Sequence, residues 1–592
     1  AGGRVSVQAA ANIDSTGGQF RAEQALVLTA GNDITVASTT RTQSNAQGSR
    51  TNVDRVAGLY VSRDDGQMVV VAGHDLSLQG AVVQQGQPAA SGSAATTATT
   101  PASTPAPVTG RIVLAAGNDV RLDTVTESHS DYVAWSRGNH RSEASRTDVA
   151  STVAATGAVD IVAGRDVVSR GAQVSMRDGA ISATAARDVV LATSESHASV
   201  DESHRHKRSG VLSSTTYSSR DTLDQTTQQG TLLSGHQVKV QAGQDIQVSG
   251  SHVVSTEGTA LEAARQVSIE AATDTRHETH QRQKKTSGLM GSGGIGVTIG
   301  TRSLKTTRDT ATTTAVASTV GSTQGDVAIH AGDTVRQSGS AVLAPQGDVT
   351  IAGRKVDIVE ARNTETTVTG MQFRQSGVTV AVSNPVISAV QTAHQMSEAA
   401  SNTKDDRMKT LAAANTAMAA ASAYDAVQAG QGTTINGKAN QISTGTDAAG
   451  NPTSRDANAA DKVGGIQVSI SVGSSKSDSR TVITRSDAVA SNVGAGGNVT
   501  ITATGDPQQS DVTVQGSRIA ADQQVRIQAE HALNLQAAAN TQTQQSENSN
   551  SSASVGVVFA VGSNTGFGVN LSGSLGRGNA DGSDLAWSNS RV

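Results

Sequence analysis

The sequence predicts an all-β chain, folded mainly as a right-handed parallel β-helix with β-hairpin excursions and a small α-helical insert. Three observations support this fold class: apolar triplets that return every ~21 residues, a recurring Ala-Gly-x-Asp turn, and very few aromatic residues. The 592 residues include only 4 Phe, 4 Tyr and 2 Trp, against 60 Gly. A solenoid suits this composition, because each coil buries small apolar side chains against its neighbours.

The period is visible when apolar residues are compared along the chain. Val5 is followed one period later by Leu26, and Ile13 by Ile34 at the same interval. The spacing returns between Ile246 and Val267, Val335 and Val356, and Val512 and Leu533. Because alternate residues of a strand face opposite ways, each apolar-polar-apolar triplet predicts a short strand with one buried face. One coil of three short strands accounts for a period of ~21 residues.

A turn joins the triplets within each coil. Its copies begin at Ala30, Ala72, Ala116, Ala163 and Ala242, and read Ala-Gly followed by one variable residue and Asp. We expect the Gly to supply a positive φ and the Asn or Asp side chain to hydrogen-bond its own backbone.

Excursions interrupt the coils, and several contain Gly-bounded alternating segments that predict hairpin arms. One such segment is 294–300, and the others pair within 378–472 and 555–571. The candidate membrane-facing residues of these arms are Val378, Val380, Val382, Ile466, Val468, Ile470, Val472, Val555, Val557, Phe559, Val561, Phe567, Val569 and Leu571. Apolar residues alternating with small polar ones are typical of membrane strands, although those have ~9–11 residues and these are shorter. The alternative is that each arm docks its apolar face on the rod, since half-buried strands commonly alternate in this way.

Two segments lack strand alternation. Residues 86–109 contain four of the eight prolines and predict a flexible loop. Residues 386–429 are Ala-rich, follow Pro385 and precede Gly430, and predict one or two helices at the tip of a hairpin. The predicted domains are β-helix repeats over 1–377, a hairpin arm with the helical insert over 378–472, further repeats over 473–554, and a terminal hairpin, a truncated repeat, over 555–592.

The coils, the turn and the paired-coil-plus-excursion layout resemble filamentous-haemagglutinin-like exoproteins of two-partner secretion. The resemblance is strongest to the downstream haemagglutinin repeats of CdiA-type proteins of contact-dependent growth inhibition, including the ending Gly576-Arg577-Gly578-Asn579-Ala580-Asp581-Gly582. It implies export through an outer-membrane transporter and display on the outer surface of a Gram-negative bacterium. It also implies either adhesion or delivery of a C-terminal toxin to a neighbouring bacterium. The opening at Ala1-Gly2-Gly3 predicts an internal fragment.

Other functional classes find little support in the sequence. The formal charge of −5 comes from 46 basic and 51 acidic residues without a basic stripe, so we expect no nucleic-acid partner. Cys is absent, which excludes disulfides and thiol catalysis. No run of eighteen apolar residues predicts a transmembrane helix. Histidines cluster in the excursions (129 and 140, 204 and 206, 277 and 280), but solvated loop residues explain them and we expect no metal site. Polysaccharide-cleaving β-helices need clustered carboxylates and sugar-stacking aromatics, so we expect no enzyme and no cofactor.

Three functions remain open from the sequence. The preferred one is a monomeric rod that presents or delivers a toxin, its arms and helical tip rearranging at the target outer membrane. The second is an adhesin that binds a surface receptor, and the third is a passive structural spacer.

Overall fold

The computed structural model describes residues 3–86, 110–176, 178–291, 296–401, 406–562 and 566–592. Short strands stack in parallel into a triangular β-helix of twelve coils in this part of the chain. All five equivalences read from the sequence period are register partners, including Val5 with Leu26 and Val335 with Val356. The predicted fold class is therefore confirmed. The loop predicted at 86–109 lies, apart from Gly86, outside the described residues.

Each coil contributes one strand to each of three faces, except that the twelfth reaches the third face only through a single bridge between Arg591 and Arg518. The first face contains Arg4–Ala9, Ala25–Ala30, Gln67–Ala72, Arg111–Ala116, Ala158–Ala163, Ala180–Ala185, Asp326–Ala331, Val349–Gly353, Asn498–Ala503 and Gln524–Ala529. The second contains Ile13–Thr16, Ile34–Ala37, Leu76–Gln79, Val167–Arg170, Val189–Ala192, Asp245–Ser249, Gln266–Glu270, Thr334–Ser338, Lys355–Val359, Val512–Gln515 and Leu533–Gln536. The third contains Gln19–Ala22, Gly58–Val61, Val82–Gln85, Thr152–Ala155, Gln173–Met176, Thr319–Ser322, Ala341–Ala344, Asn492–Ala495 and Arg518–Ala521. Two longer strands, Leu232–Ala242 and His252–Ala263, turn the corner from the third face to the first.

The core is a column of stacked aliphatic side chains. Leu28, Val70 and Leu114 occupy successive coils on the first face and are fully buried. This repetitive packing explains how the chain buries a core with so few aromatic residues.

The Ala-Gly-x-Asp turns differ from the expected turn chemistry. Their glycines do not have positive φ; a Cβ on Gly73 would lie 2.0 Å from the carbonyl oxygen of Gly31 in the preceding coil. The glycine is therefore required by the close stacking of coils. The Asp side chain also bonds between coils, since Asp33 Oδ1 accepts the Asp75 backbone N–H at 3.0 Å.

Arginines in the variable position of several turns extend this stacking. Arg165 pairs with Asp119 of the preceding coil through Nε and Oδ1 at 2.8 Å, and Arg187, Arg265 and Arg354 pair in the same way. Burial acts to raise the pKa of Asp119, but hydrogen bonds from Arg165 and Arg121 outweigh it and hold the pKa below its usual range.

A set of glycines with positive φ lies at the next corner, between the second and third faces. They include Gly80, Gly171, Gly250, Gly339 and Gly516. In several coils a buried serine follows, as Ser340 does after Gly339, and its hydroxyl accepts a backbone N–H from the coil before it. The resulting ladder runs Thr231, Ser251, Ser318, Ser340, Ser491, Ser517, Ser590.

Six hairpin excursions leave this corner, one from every second coil in the described part of the chain. Their strands are β1 (Thr39–Ser44), β2 (Gly48–Arg55), β3 (Val120–Ser136), β4 (Asn139–Ala150), β5 (Ser194–Ser209), β6 (Ser213–Gln229), β7 (Ala272–Gly291), β8 (Gly296–Val316), β9 (Ala361–Ser383), β10 (Ile466–Val489), β11 (Ala538–Val561) and β12 (Gly566–Ser588). Only the first few residues of β3 belong to a coil. Neighbouring excursions pair with one another, so the twelve strands form one antiparallel sheet beside the rod, here called the fin.

The fin lengthens from 6 residues in β1 to 24 in β10 and β11. The helical insert lies at the tip of its β9–β10 hairpin. Helix α1 spans Pro385–Ser401 and α2 spans Asp406–Gly430, followed by a small sheet of Thr433–Ile435, Lys438–Thr446 and Pro452–Asp456. Asn384 caps α1, because its Oδ1 accepts the Ile387 backbone N–H at 2.7 Å.

Candidate functional site: the distal apolar face of the fin

The fin brings the candidate arm residues into register on one face. Strands β8 to β12 align their alternating segments side by side, although these segments are widely separated in the sequence. The first cross-strand row is Ile299, Val378, Val472, Val555 and Leu571; the second is Val297, Val380, Ile470, Val557 and Val569; the third is Val382, Val468, Phe559 and Phe567, with Ile466 beside Val561. We call these residues the apolar patch. Ile295 lies outside the described residues.

The apolar patch faces solvent. The exposed fraction is 60% for Ile299, 56% for Val472, 52% for Val555 and 81% for Leu571. Val378 lies near the far end of β9, at ~56 Å of strand from Ala361, where β9 leaves the coils. The arms therefore pair with each other in the fin and do not dock on the rod, because the length of β9 separates the patch from it.

The opposite face at the same height is small and polar. Thr298, Thr379, Ser471, Gly556 and Asn570 form the row between the first two apolar rows. The Thr298 and Thr379 hydroxyls lie 2.9 Å apart. The distal sheet is thus amphipathic across its thickness.

A group of basic residues lies closer to the rod on the same face as the apolar patch. Lys285, Lys305, Arg374, Lys476 and Arg577, here called the basic belt, come from five strands and occupy two neighbouring alternate rows. Lys476 and Arg374 approach Asp478 at 3.2 and 2.7 Å, and the Arg374 hydrogen bond holds the pKa of Asp478 below its usual range. The expectation that the chain has no basic stripe is therefore wrong, because the register gathers residues that are scattered in sequence.

The helical insert is held to the fin by a buried ion pair. Arg455 Nη1 and Nη2 contact Asp461 Oδ2 and Oδ1 at 2.6 and 2.9 Å, and Arg455 also donates to the Gly562 carbonyl oxygen at 2.6 Å. The hydrogen bond from Arg455 lowers the pKa of Asp461. Gly562 follows β11 directly, so this arginine joins the insert to the tip of the neighbouring hairpin.

The excursion histidines face carboxylates rather than each other. His277 lies 3.0 Å from Asp309, His280 lies 2.8 Å from Asp221, and His129 lies 2.9 Å from Asp131. In the described ranges, the one group with metal-ligand spacing is elsewhere, at Asp33, His74 and Asp75 in the stacked turns. These two carboxylates already accept backbone N–H groups between coils.

The alternation of the arm segments is visible in the sequence, whereas the basic belt is not. The arms carry a local signal, since two-residue alternation is visible in each segment alone. The belt residues carry none, because they are single basic residues in polar strands and meet only through strand pairing.

A stacked-coil rod with a hairpin excursion from every second coil defines a β-helical repeat protein. Residues 113–211, 212–372 and 470–592 match the hemagglutinin repeat family, and the chain belongs to that family. Among curated relatives, it is 31% identical over 98% of its length to a "tRNA nuclease CdiA" from Escherichia coli (strain STEC_O31), of which it covers 16%. It is 31% identical over 88% of its length to a "tRNA nuclease CdiA-2" from Burkholderia pseudomallei (strain 1026b), again covering 16%.

A "16S rRNA endonuclease CdiA" from Enterobacter cloacae is 34% identical over 66% of the chain, which covers 11% of that protein. The chain thus spans about a sixth or less of these relatives. The matches confirm the resemblance to filamentous-haemagglutinin-like, CdiA-type exoproteins. No solved structure matches the chain. Across the described residues, neither helix combines the length and apolarity needed to cross a membrane.

Proposed function

We propose that the chain is a non-catalytic segment of a secreted surface exoprotein of a Gram-negative bacterium. The exoprotein is exported by an outer-membrane two-partner-secretion transporter and presents or delivers a C-terminal toxin to neighbouring bacteria. In this proposal the length of the rod sets how far the exoprotein extends from the cell that displays it, and the apolar patch of the fin engages the target outer membrane.

The observation that carries the proposal is the continuity of the apolar patch. Two rows of Val, Ile and Leu cross five strands on one face, and a third row of Val and Phe crosses four. Most of these side chains are exposed and the others are half-buried. A contiguous apolar surface of this kind marks a protein or membrane interface, because its exposure to water is unfavourable. Burying it in lipid contributes ~25 cal/mol for each Å² removed from water.

The experiment is co-sedimentation with outer-membrane lipid vesicles. The test variant carries Val380→Lys, Ile470→Lys and Phe559→Lys, one substitution on each of three paired strands of the patch. We expect the native chain to bind and this variant to lose most of its binding, because each lysine places a charge where lipid contact is required.

The matched control carries Ala381→Lys, Gln467→Lys and Asn570→Lys on the opposite face of the same distal region. It adds the same charge and is expected to bind as the native chain does. Equal loss in both variants, or no binding by the native chain, would refute membrane engagement by this face.

One observation favours the adhesin alternative. Trp135 and Tyr132, near the tip of the β3–β4 hairpin, are 58% and 53% exposed and lie beside His204 and His140 with ring centroids 6.0 and 5.9 Å apart. Exposed aromatic rings can stack on a surface glycan. Binding to target cells that is abolished by Trp135→Ala and unaffected by the three-lysine patch variant would support this alternative. A passive spacer would be insensitive to both.

A further inference from the structure

We infer that the basic belt is a binding surface for the phosphates of anionic lipid headgroups, and that the fin docks on such a lipid surface with its apolar face down. This inference rests on the proposed membrane engagement and adds the chemical class of lipid. The order of side chains along the strands of this face carries it.

Two strands illustrate the order. Along β8, apolar Ile299 is followed on the same face by Thr301 and Ser303, and then by Lys305. Along β10, Val472 is followed on the same face by Ser474 and then by Lys476. From Ile299 to Lys305 the strand advances ~20 Å. An apolar region, a hydroxyl-rich region and a basic region therefore follow one another toward the rod.

Acidic residues lie on the rod side of the belt, past a row that contains both Arg480 and Glu547. Asp309 lies beyond Lys305 on β8, and Asp581 lies beyond Arg577 on β12, in the same row of the face. The face thus changes sign over ~13 Å. Because of this change in sign, an anionic membrane attracts only the surface formed by the patch and the belt, although the whole chain carries a formal charge of −5.

The belt contains a hollow of suitable chemistry. A depression of about 480 Å³ is lined by Lys285, Arg374 and Lys476 together with Thr301, Ser376 and Ser474. Ammonium, guanidinium and hydroxyl groups are the donors that hold phosphate oxygens. Arg374 and Lys476 share Asp478, whereas Lys285, Lys305 and Arg577 have no carboxylate within ion-pair distance in the described part of the chain.

The opposite face lacks this combination. Three of its basic residues at the same height are engaged within the sheet: Arg282 pairs with Asp221, Arg302 donates to Gln375, and Lys284 lies over the Tyr217 ring. Apolar rows and unpaired cations therefore coincide on one face only in the described part of the fin. A lipid surface fits that face better than a nucleic acid, because lipid satisfies both the apolar patch and the belt.

The test compares phosphatidylcholine vesicles with vesicles that also contain phosphatidylglycerol, using the whole chain. The variant is Lys285→Gln, Lys305→Gln and Arg577→Gln. The control is Arg4→Gln, Arg41→Gln and Arg526→Gln, which removes three exposed basic residues outside the belt and changes the net charge equally.

We expect the native chain and the control to prefer the anionic vesicles, with the preference falling as salt rises. Since each basic residue near an anionic surface contributes roughly fivefold, the loss of three should lower the affinity of the belt variant for anionic vesicles by roughly a hundredfold. Its binding to neutral vesicles should persist, because the apolar patch is intact.

Binding that is equal on both vesicle types, or unchanged in the belt variant, overturns the inference while leaving membrane engagement in place. No binding to either vesicle overturns both. Tighter binding of a DNA duplex than of anionic vesicles, lost in the belt variant, would assign the belt to nucleic acid instead.

Discussion

Single residues at the corners set the spacing of the coils. The turn glycines allow the carbonyl oxygen of one coil to approach the backbone of the next, as Gly73 does with Gly31. The hydroxyls of the corner serines accept buried backbone N–H groups at the same corner of the preceding coil. Ser340, 2% exposed, accepts the Ser318 N–H at 3.3 Å and donates to the Ser338 carbonyl oxygen at 2.9 Å. These polar contacts are buried, so their loss is costly.

We predict that Ser340→Ala weakens the rod locally. The substitution leaves the Ser318 N–H buried without an acceptor, at a cost of ~1–3 kcal/mol. Because solenoids open in local units, amide hydrogen exchange at Ser318 and its neighbours measures the effect directly. Ser376→Ala, which removes an exposed hydroxyl from the fin, is the control. Unchanged exchange at Ser318 would show that the serine ladder contributes nothing to stability.

At the scale of the elements, two spacings coincide. A hairpin adds two strands to the fin, and it leaves from every second coil, so fin and rod both grow by ~9.6 Å per unit at ~4.8 Å per strand. The excursions can therefore pair continuously without bending the rod. This match explains why the arms form a sheet instead of separate projections.

Replacing one hairpin should open a gap that its neighbours cannot close. We predict that substituting residues 194–229 with a short Gly-Ser turn leaves the coils intact but removes β5 and β6, the partners of β4 and β7. The two remaining strands then lie too far apart to pair with each other. Faster amide exchange in β7, with unchanged exchange in the first-face strands, is the expected result. A variant with 87–109 shortened in the same way is the control. Protected β7 amides in the hairpin variant would mean that the fin does not depend on this spacing.

The local features of this architecture could be predicted from the sequence. Coils, turns and helix boundaries each have a signature of a few neighbouring residues, and the five equivalences of the sequence period predicted the rod register. The roles of Gly73 and Asp33 were not predictable, because the atoms they contact belong to other coils. The fin could not be predicted from the sequence for the same reason. Lys285 and Arg577 share a surface only after the intervening strands have paired.

In the molecule as a whole, the rod and the fin differ in what their side chains contact. The rod has a continuous aliphatic core and charges paired between coils, as between Arg165 and Asp119. The fin has an exposed apolar patch and a basic belt on one face. This division predicts that lipid contact is confined to that face, near the ends of the longest strands.

The most direct test of this claim uses the absence of cysteine from the chain. Val472→Cys on the apolar face and Ser471→Cys on the opposite face provide single sites for an environment-sensitive fluorophore. On addition of anionic vesicles, the account predicts a blue shift for the probe at position 472 and little change at position 471. No shift at 472, or equal shifts at both positions, would contradict membrane docking through the apolar face of the fin.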